Sequence, residues 1–243
     1  GDALRGHTRS HPEHDGSNSG SISQDTLETS GTFENTGSII ADITNGGTFT
    51  NNGTIGTNQN KAEITNNGTF TNNNSVIASA ITNSENKTFT NAGTVVTDTI
   101  TNNGTLDGNG SITIGGGENS TTGVISQNNI TINGSIINGN IIGNKAASSS
   151  PSATNLTLTL KDTTVDSENV DGREVVVGAD LSSYGGDITV DNIKIVLEGN
   201  TKINNADVIL FRRSTWAHRT VNMSNCEIIL QDNADVSTSN LYA

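Results

Sequence analysis

The first half of the chain repeats one short motif, Gly-Thr-Phe-Thr-Asn-Asn-Gly-Thr-Ile, with small variations. Its phenylalanines follow one another at steps of 16, 21 and 19 residues, and a leucine begins the next copy. A repeat of roughly 20 residues with an interrupted phase is typical of proteins that stack one structural unit on the next. The residues that share this slot are Phe33, Phe49, Phe70, Phe89 and Leu106.

The residue types within each copy favour short strands joined by tight corners. Thr-Phe-Thr and Thr-Ile-Thr have the composition of strands, whereas Asn-Gly and Asn-Asn favour turns with positive φ. Apolar residues do not recur at helical spacing, and each glycine inside a helix would cost about 1 kcal/mol. We therefore predict an all-β fold, a single-chain parallel β-helix (β-solenoid) of about 20 residues per rung. The crossover preference of parallel strands favours a right-handed coil.

Parallel stacking of rungs would place equivalent side chains directly above one another, about 4.8 Å apart. The five residues of the repeated apolar slot should therefore form an interior stack. At the corner that follows, Asn51, Asn72 and Asn91 should form a ladder whose amides bond along the axis. No single rung can bury its own apolar side, so stability must come from neighbouring rungs.

Changes of pattern divide the chain into four predicted segments. A polar tail (1–24) precedes the Thr/Asn/Gly-rich repeats (25–144), a loop or linker (145–154) follows, and aliphatic rungs (155–243) complete the chain. Within the last segment, three copies of the pattern Asn, apolar, x, apolar, x, apolar begin at Asn155, Asn192 and Asn225. This pattern predicts strands that are entered at an asparagine corner. We predict a further, separate rung at residues 205–210.

Charge and apolar content exclude several classes of function. The formal net charge is −13 at pH 7, whereas a nucleic-acid-binding protein carries a basic stripe, so we predict no nucleic-acid partner. No apolar run reaches the length of about 18 residues that a transmembrane helix needs, so we predict no transmembrane segment.

Three histidines in the polar tail have spacings compatible with metal ligation: His7, His11 and His14. Two interpretations follow, a zinc or nickel site and an incidental polar tail. Arg5 and Arg9 lie among these histidines, and the segment contains no cysteine partner. We favour the polar tail, and we predict neither a metal site nor a cofactor.

The segment that least resembles a repeat is a basic one in an otherwise acidic chain. It contains Arg212, Arg213, Trp216, His218 and Arg219, and Trp216 is the only tryptophan of the chain. An exposed tryptophan among arginines would stack on a sugar or anchor a protein partner. The alternative is a solvated loop whose tryptophan folds onto the solenoid wall. We predict that a partner, if one binds, contacts this segment.

The Gly-Thr-Phe-Thr-Asn-Asn-Gly-Thr-Ile repeats resemble those of bacterial surface β-helices, namely autotransporter passengers and filamentous-haemagglutinin-like adhesins. The resemblance covers residues 26–142 closely and residues 155–236 loosely. It implies secretion to the bacterial cell surface or the extracellular space, and a role in adhesion or as a stalk. The implied partner is a glycan or protein of a host or bacterial surface. Two further hypotheses are a self-assembling extracellular filament subunit, joined head to tail, and a polysaccharide-degrading β-helix of the pectinase or tailspike type.

The enzyme hypothesis requires two carboxylates, about 5 to 9.5 Å apart, that flank a glycosidic bond. The sequence offers three pairs of aspartates, at positions 187 and 191, 162 and 166, and 232 and 235. The repeats contain few aromatic residues for a sugar groove. We therefore interpret these aspartates as solvated corners and predict no catalytic residues and no enzymatic activity.

Overall fold

The fold is known from a computed structural model, in which every regular element of the described residues is a strand and every strand pairing is parallel. This arrangement confirms the predicted all-β class and the parallel β-helix. The residues described are 15–115, 117–118, 120–121, 124–127, 129–133, 135–137, 140–142, 152–166, 174–181, 187–204, 207–213, 220–237 and 241–242.

The strands form three sheets that run along the axis of the solenoid, and each rung contributes strands to them in chain order. Sheet I has eleven strands. They are Gly16–Asn18, Thr32–Asn35, Thr48–Asn51, Thr69–Asn72, Thr88–Asn91, Thr105–Asp107, Val124–Ser126, Asn140–Ile142, Glu174–Leu181, Asp207–Arg213 and Leu241–Tyr242.

Sheet II has 13 strands, and sheet III has four strands and joins the solenoid only from residue 117 onwards. The strands of sheet II are Ser21–Thr29, Ser38–Asn45, Thr54–Ile55, Ala62–Asn66, Ser75–Asn83, Thr94–Asn102, Ser111–Ile114, Ser120–Thr121, Asn129–Asn133, Ser152–Lys161, Ile188–Glu198, Val221–Ser224 and Glu227–Leu230. Those of sheet III are Gly117–Glu118, Ser135–Ile137, Thr164–Asp166 and Lys202–Asn204.

A phenylalanine stack fills the interior behind sheet I. The strand pairings place Phe33 on Phe49, Phe49 on Phe70, Phe70 on Phe89, and Phe89 on Leu106. The ring centroids of successive phenylalanines lie 5.1, 4.8 and 4.6 Å apart, and all three ring pairs are stacked. This is the arrangement that the repeat spacing predicts, and it arises because outward threonines alternate with inward apolar residues along each strand.

Buried asparagines form two ladders, one after the strands of each main sheet. Each amide Nδ2 donates to Oδ1 of the equivalent asparagine in the next rung, over 2.7 to 2.9 Å. The first ladder contains Asn18, Asn35, Asn51, Asn72 and Asn91. The second contains Asn45, Asn66, Asn83 and Asn102. The predicted ladder of Asn51, Asn72 and Asn91 is therefore confirmed, and the second was not predicted.

The first ladder has one gap. The register places Gly108, with φ of 124°, in the rung where the next asparagine would lie. Asn91 Nδ2 instead donates to Oε1 of Gln127 over 2.9 Å, and these two residues are 36 positions apart in the chain. The longer glutamine side chain therefore spans the missing rung.

The rungs become longer towards the C-terminal end of the described structure. Equivalent asparagines are 16 to 21 residues apart in the first ladder. Ser111 and Asn129, which are paired across the first rung with a strand of sheet III, are 18 apart, whereas Asn155 and Asn192, which are hydrogen-bonded between adjacent rungs, are 37 apart. The prediction of about 20 residues per rung therefore describes only the first half. The predicted separate rung at 205–210 is wrong, since strand Asp207–Arg213 lies in sheet I and belongs to the same rung as Ile188–Glu198 of sheet II.

Left-handed residues make the corners of these longer rungs. Asn155, Asn192 and Asn225 have φ of 58°, 53° and 54°, and so the pattern that predicts an asparagine corner identifies three equivalent bends. Asparagine tolerates this conformation better than most residues, because its short polar side chain bonds locally.

Two predicted boundaries are shifted. The first described strand of the solenoid is Gly16–Asn18, which lies inside the predicted polar tail (1–24), and Asn18 is the first described member of the first ladder. Strand Ser152–Lys161 includes the last three residues of the predicted loop at 145–154, and the preceding part of that loop lies outside the described residues. In both places a polar stretch without large apolar residues conceals a strand that pairs with its neighbouring rung.

Candidate interaction surfaces

The outer side of sheet I carries a regular array of threonines, which we call the threonine face. In three consecutive rungs, an outward threonine lies on either side of the buried phenylalanine. The strand register aligns these threonines in two columns. The six residues of the threonine face are Thr48, Thr50, Thr69, Thr71, Thr88 and Thr90.

The geometry of the threonine face follows from the strands that carry it. Rungs are about 4.8 Å apart along the axis, and alternate residues of one strand are roughly 6.6 Å apart. The rings of Phe49 and Phe70 beneath it are inclined by only 2°, and those of Phe70 and Phe89 by 13°, against 26° between Phe33 and Phe49. The rings under the face therefore repeat in nearly the same orientation from rung to rung, and the strand register keeps the threonines above them aligned.

The hydroxyl groups of the threonine face make few hydrogen bonds within the described structure. The Thr90 hydroxyl donates to a carboxylate oxygen of Asp107 over 3.0 Å at one end of the face. The other five hydroxyls make no hydrogen bond to any group in the part of the chain that the structure describes. Charged residues occur only beyond the face in its second column, at Glu34 and Asp107. The face is therefore an uncharged surface on an acidic protein.

The basic segment predicted to contact a partner is described only at its start. Arg212 and Arg213 are the last residues of strand Asp207–Arg213 and pair with Asp180 and Leu181. This differs from the prediction of a loop that starts at Arg212, because sheet I extends two residues further. Trp216, His218 and Arg219 lie outside the described residues, as do His7, His11 and His14 of the predicted tail.

The candidate catalytic aspartates bind neighbouring corners. Asp191 Oδ1 accepts hydrogen bonds from Ser224 Oγ at 2.7 Å and from Asn225 Nδ2 at 2.9 Å. Asp187 Oδ1 accepts from the Thr220 backbone amide at 3.1 Å. The bonds from Ser224 and Asn225 hold the pKa of the Asp191 carboxyl below its ordinary value. A general acid needs the opposite shift.

Three aspartates of the other two pairs have similar surroundings, and the side chain of Asp166 lies outside the described part of the structure. Asp162 accepts from the Asn200 amide at 2.8 Å, and Asp232 accepts from the Gly199 amide at 3.2 Å. Hydrogen bonds from the backbone and side chain of Ser237 lower the pKa of Asp235. These carboxylates therefore stabilise the ends of the corners.

Three large apolar side chains are exposed at the last rung: Met223, Leu230 and Leu241. Met223 and Leu230 lie in strands of sheet II, and Leu241 lies in the final strand of sheet I. They surround the open ends of two sheets, so this end of the described structure presents both unpaired strand edges and apolar surface.

Among the residues that the structure describes, no group of three or more His, Cys, Asp or Glu side chains is arranged to bind a metal ion. The same residues contain no helix with the length and apolarity needed to cross a membrane.

Sequence reasoning missed the threonine face, although its residues lie within the repeat. The Thr-Phe-Thr triplet indicates a strand, and its two flanking positions also define the outer surface of the sheet. The signal was available in the repeat itself, because the same residue occupies both positions next to phenylalanine in three copies.

Comparison of the chain with protein-family models, curated proteins and solved structures finds no match.

Proposed function

We propose that this protein is a structural and adhesive β-solenoid of the bacterial cell surface or the extracellular space, without catalytic activity. The observation that carries the proposal is the continuous parallel stack, in which sheet I alone joins eleven strands in chain order. Eleven rungs at the parallel spacing span about 48 Å. A stack of this length is suited to holding a binding surface at a distance from the bacterial cell surface.

The interior supports this role because it does not depend on a large apolar core. Only 30% of the residues are hydrophobic, yet the asparagines within each ladder are hydrogen-bonded to the rungs on both sides. Asn45, for example, donates to Asn66 Oδ1 at 2.9 Å and accepts from Thr29 Oγ1 at 3.0 Å. Satisfied buried amides stabilise the stack along its whole length. The lateral surfaces are then free to vary without loss of the fold.

We propose the segment from Arg212 to Arg219 as the adhesive contact. In a chain of net charge −13, a cluster of three arginines and the only tryptophan favours an anionic glycan, for which arginine supplies charge and tryptophan supplies a stacking surface. The paired strand Asp207–Arg213 gives this segment a fixed origin on sheet I.

The test uses bacteria that display the full chain, with their retention under flow measured on surfaces coated with an anionic uronic-acid polysaccharide or a neutral glucan. Retention on the anionic surface, lost in an Arg213→Ala/Trp216→Ala variant with unchanged circular dichroism, supports the proposal. A Lys61→Ala variant, which removes a cation elsewhere on the solenoid, should be retained like the unaltered chain. Equal retention on a bare surface and on both glycans would exclude this contact.

The second candidate is a polysaccharide-degrading enzyme, which the acidic corners around Asp187 and Asp191 bring into consideration. Their hydrogen bonds favour a structural role, so we expect no release of reducing ends or unsaturated products from pectin, other uronic-acid polymers or bacterial capsule. Turnover that disappears in Asp187→Asn or Asp191→Asn would instead establish the enzyme.

Self-association is a further part of the proposal, supported by the exposed Met223, Leu230 and Leu241 on the last rung. A second copy whose first rung continues sheets I and II would cover these side chains and pair the open strands. Head-to-tail contacts of this kind do not close and therefore propagate. Light scattering of the full chain should show a mass that rises with concentration, and Leu230→Lys should suppress this rise. A monomer at all concentrations would exclude the filament.

A further inference from the structure

We propose that the threonine face binds the surface of ice. The face consists of two aligned columns of threonine on a parallel sheet, and its ligand would be crystalline water, a repeating lattice of hydrogen-bond donors and acceptors. This inference goes beyond the proposed structural and adhesive role, which does not depend on it. It stands on the position, exposure, charge and hydrogen bonding of Thr48, Thr50, Thr69, Thr71, Thr88 and Thr90.

The chemistry of threonine suits a lattice of water molecules. Each hydroxyl provides one donor and two acceptor positions. Five of the six hydroxyls have no protein partner in the described structure, so water satisfies them. The neighbouring methyl groups cannot bond to water and confine it between the hydroxyls. Because the hydroxyls recur at about 4.8 Å in one direction and roughly 6.6 Å in the other, the bound waters must also form a regular two-dimensional array.

Because the face is rigid, its side chains lose little conformational entropy when ordered water binds to them. Threonine is branched at Cβ and has restricted side-chain rotation. Beneath it, Phe49, Phe70 and Phe89 are fully buried and stacked at 4.8 and 4.6 Å. At the edge of the strands, Asn51, Asn72 and Asn91 fix the same rungs through bonds of 2.7 and 2.8 Å. The array is therefore held in position before any ligand arrives.

The composition of the face argues against a charged or sugar ligand. All six residues are neutral, in a chain whose net charge is −13, so an uncharged ligand is the complementary one. Each phenylalanine of these rungs is directed inward, and the face offers no aromatic ring on which a sugar could stack.

The size of the face argues against a stable protein partner. The three rungs of the face, each four residues wide, cover on the order of 190 Å². A stable protein interface buries about 800 Å² on each side. Ice differs from a protein in this respect, because a growing crystal surrounds the bound molecule and prevents its release until the ice melts.

The experiment measures thermal hysteresis, the interval between the melting and freezing points of an ice crystal in a solution of the full chain, together with inhibition of ice recrystallisation. Two variants each place a charged, mobile side chain on the face: Thr71→Lys at its centre and Thr48→Lys at its edge. The matched control is Thr65→Lys, which alters an equally half-buried outward threonine on sheet II. Circular dichroism reports whether each variant retains the fold.

We expect the unaltered chain and Thr65→Lys to show the same hysteresis and the same inhibition, and both Thr71→Lys and Thr48→Lys to lose them severalfold. The absence of both effects in the unaltered chain would overturn the proposal. The proposal would also be overturned if both face variants were as active as the unaltered chain, or if Thr65→Lys lost as much activity as they do. Co-sedimentation of the chain with crystalline cellulose that Thr71→Lys abolishes would assign the face to a polysaccharide and also overturn the proposal.

Discussion

The side-chain amide of Asn51 donates to Oδ1 of Asn72 over 2.7 Å, although neither side chain is exposed to solvent. Asn51 Nδ2 also lies 3.1 Å from the Gly53 carbonyl oxygen and 3.2 Å from that of Ser75. One side chain thus links its own corner, the next corner and the next strand. Buried polar groups are costly unless satisfied, and here the same groups become the bonds between rungs.

Interruption of the ladder at its centre should strongly destabilise the protein. In Asn72→Leu, Asn91 Oδ1 loses the bond from Asn72, and Asn51 Nδ2 loses the shortest of its three bonds, while both atoms remain buried. A buried group left unsatisfied costs about 1–3 kcal/mol. We expect a loss of about 2 to 5 kcal/mol in the free energy of unfolding, measured by urea denaturation. The control is Asn73→Ala, which removes an exposed side chain bonded to Asn52. A similar loss in both variants would contradict the special role of the buried ladder.

The phenylalanine stack should be sensitive at its centre. Phe70→Ala removes a fully buried ring between two others, and we expect it to cost about 3–5 kcal/mol. Phe70→Leu should cost clearly less, since Leu106 occupies the equivalent slot in another rung. Denaturant titration followed by circular dichroism gives both values. Equal losses would show that the stacked ring itself stabilises the slot, and that the volume a leucine fills contributes little.

Gly20, Gly37 and Gly53 occupy the same corner in successive rungs, and of Gly20 and Gly53 only Gly20 should tolerate alanine. A Cβ on Gly53 would collide with the backbone of Gly37 in the rung before it, whereas a Cβ on Gly20 would meet nothing within 4 Å. Asn74 occupies the next position of this column and already carries a Cβ. Beside it the hydrogen bond from Ser75 N to Gly53 O is 3.3 Å long, whereas the equivalent bond from Thr54 N to Gly37 O, beside a glycine, is 2.9 Å long. We expect Gly53→Ala to lose more than about 1 kcal/mol and Gly20→Ala to be neutral or slightly stabilising.

Thermal unfolding measured for Gly53→Ala and Gly20→Ala compares the two positions directly. A Gly53→Ala protein as stable as Gly20→Ala would mean that the rungs separate easily to admit a methyl group.

Acid should weaken the second half of the solenoid through Asp191. Bonds from Ser224 and Asn225 lower the pKa of its carboxyl in the folded state, so folding favours the ionised form. The resulting stability is complete above the ordinary pKa of an aspartate, and it is lost as the pH falls through the lowered pKa. Asp191→Asn should therefore reduce the dependence of stability on pH in this acidic range. Ser224→Ala, which removes the strongest of these bonds, should reduce it partly, and an unchanged slope in both would contradict this linkage.

The sequence predicts the fold well where the repeat is strict and poorly where the rung changes shape. Phe49, Phe70 and Phe89 fall into register because identical residues recur at nearly constant steps, and parallel pairing brings them together. The three-sided rungs were missed because strand Lys202–Asn204 contains a single large apolar residue. A strand of three residues with one inward side chain has no periodicity to detect.

The candidate surfaces were predictable to a smaller extent. Residue type identifies Arg212 and Trp216 as unusual, but the sequence does not show that sheet I extends through Arg213. The sequence shows which threonines repeat, but it does not show how closely they align on the outer side of sheet I. The regularity of the threonine face depends on how closely the rungs of Phe49 and Phe70 align, and that alignment is a property of packing between residues distant in the chain.

The gap at Gly108 has a consequence for how the chain finds its register. Where rungs are nearly identical, a displacement by one whole repeat still places phenylalanine on phenylalanine and asparagine on asparagine, so such errors are almost degenerate in energy. The bond between Asn91 and Gln127 has no translated equivalent among the described rungs, because only there does a glutamine lie two rungs from an asparagine with a glycine between them. The irregular rung breaks the translational symmetry of the repeat and gives the growing stack a fixed origin from which its neighbours are counted.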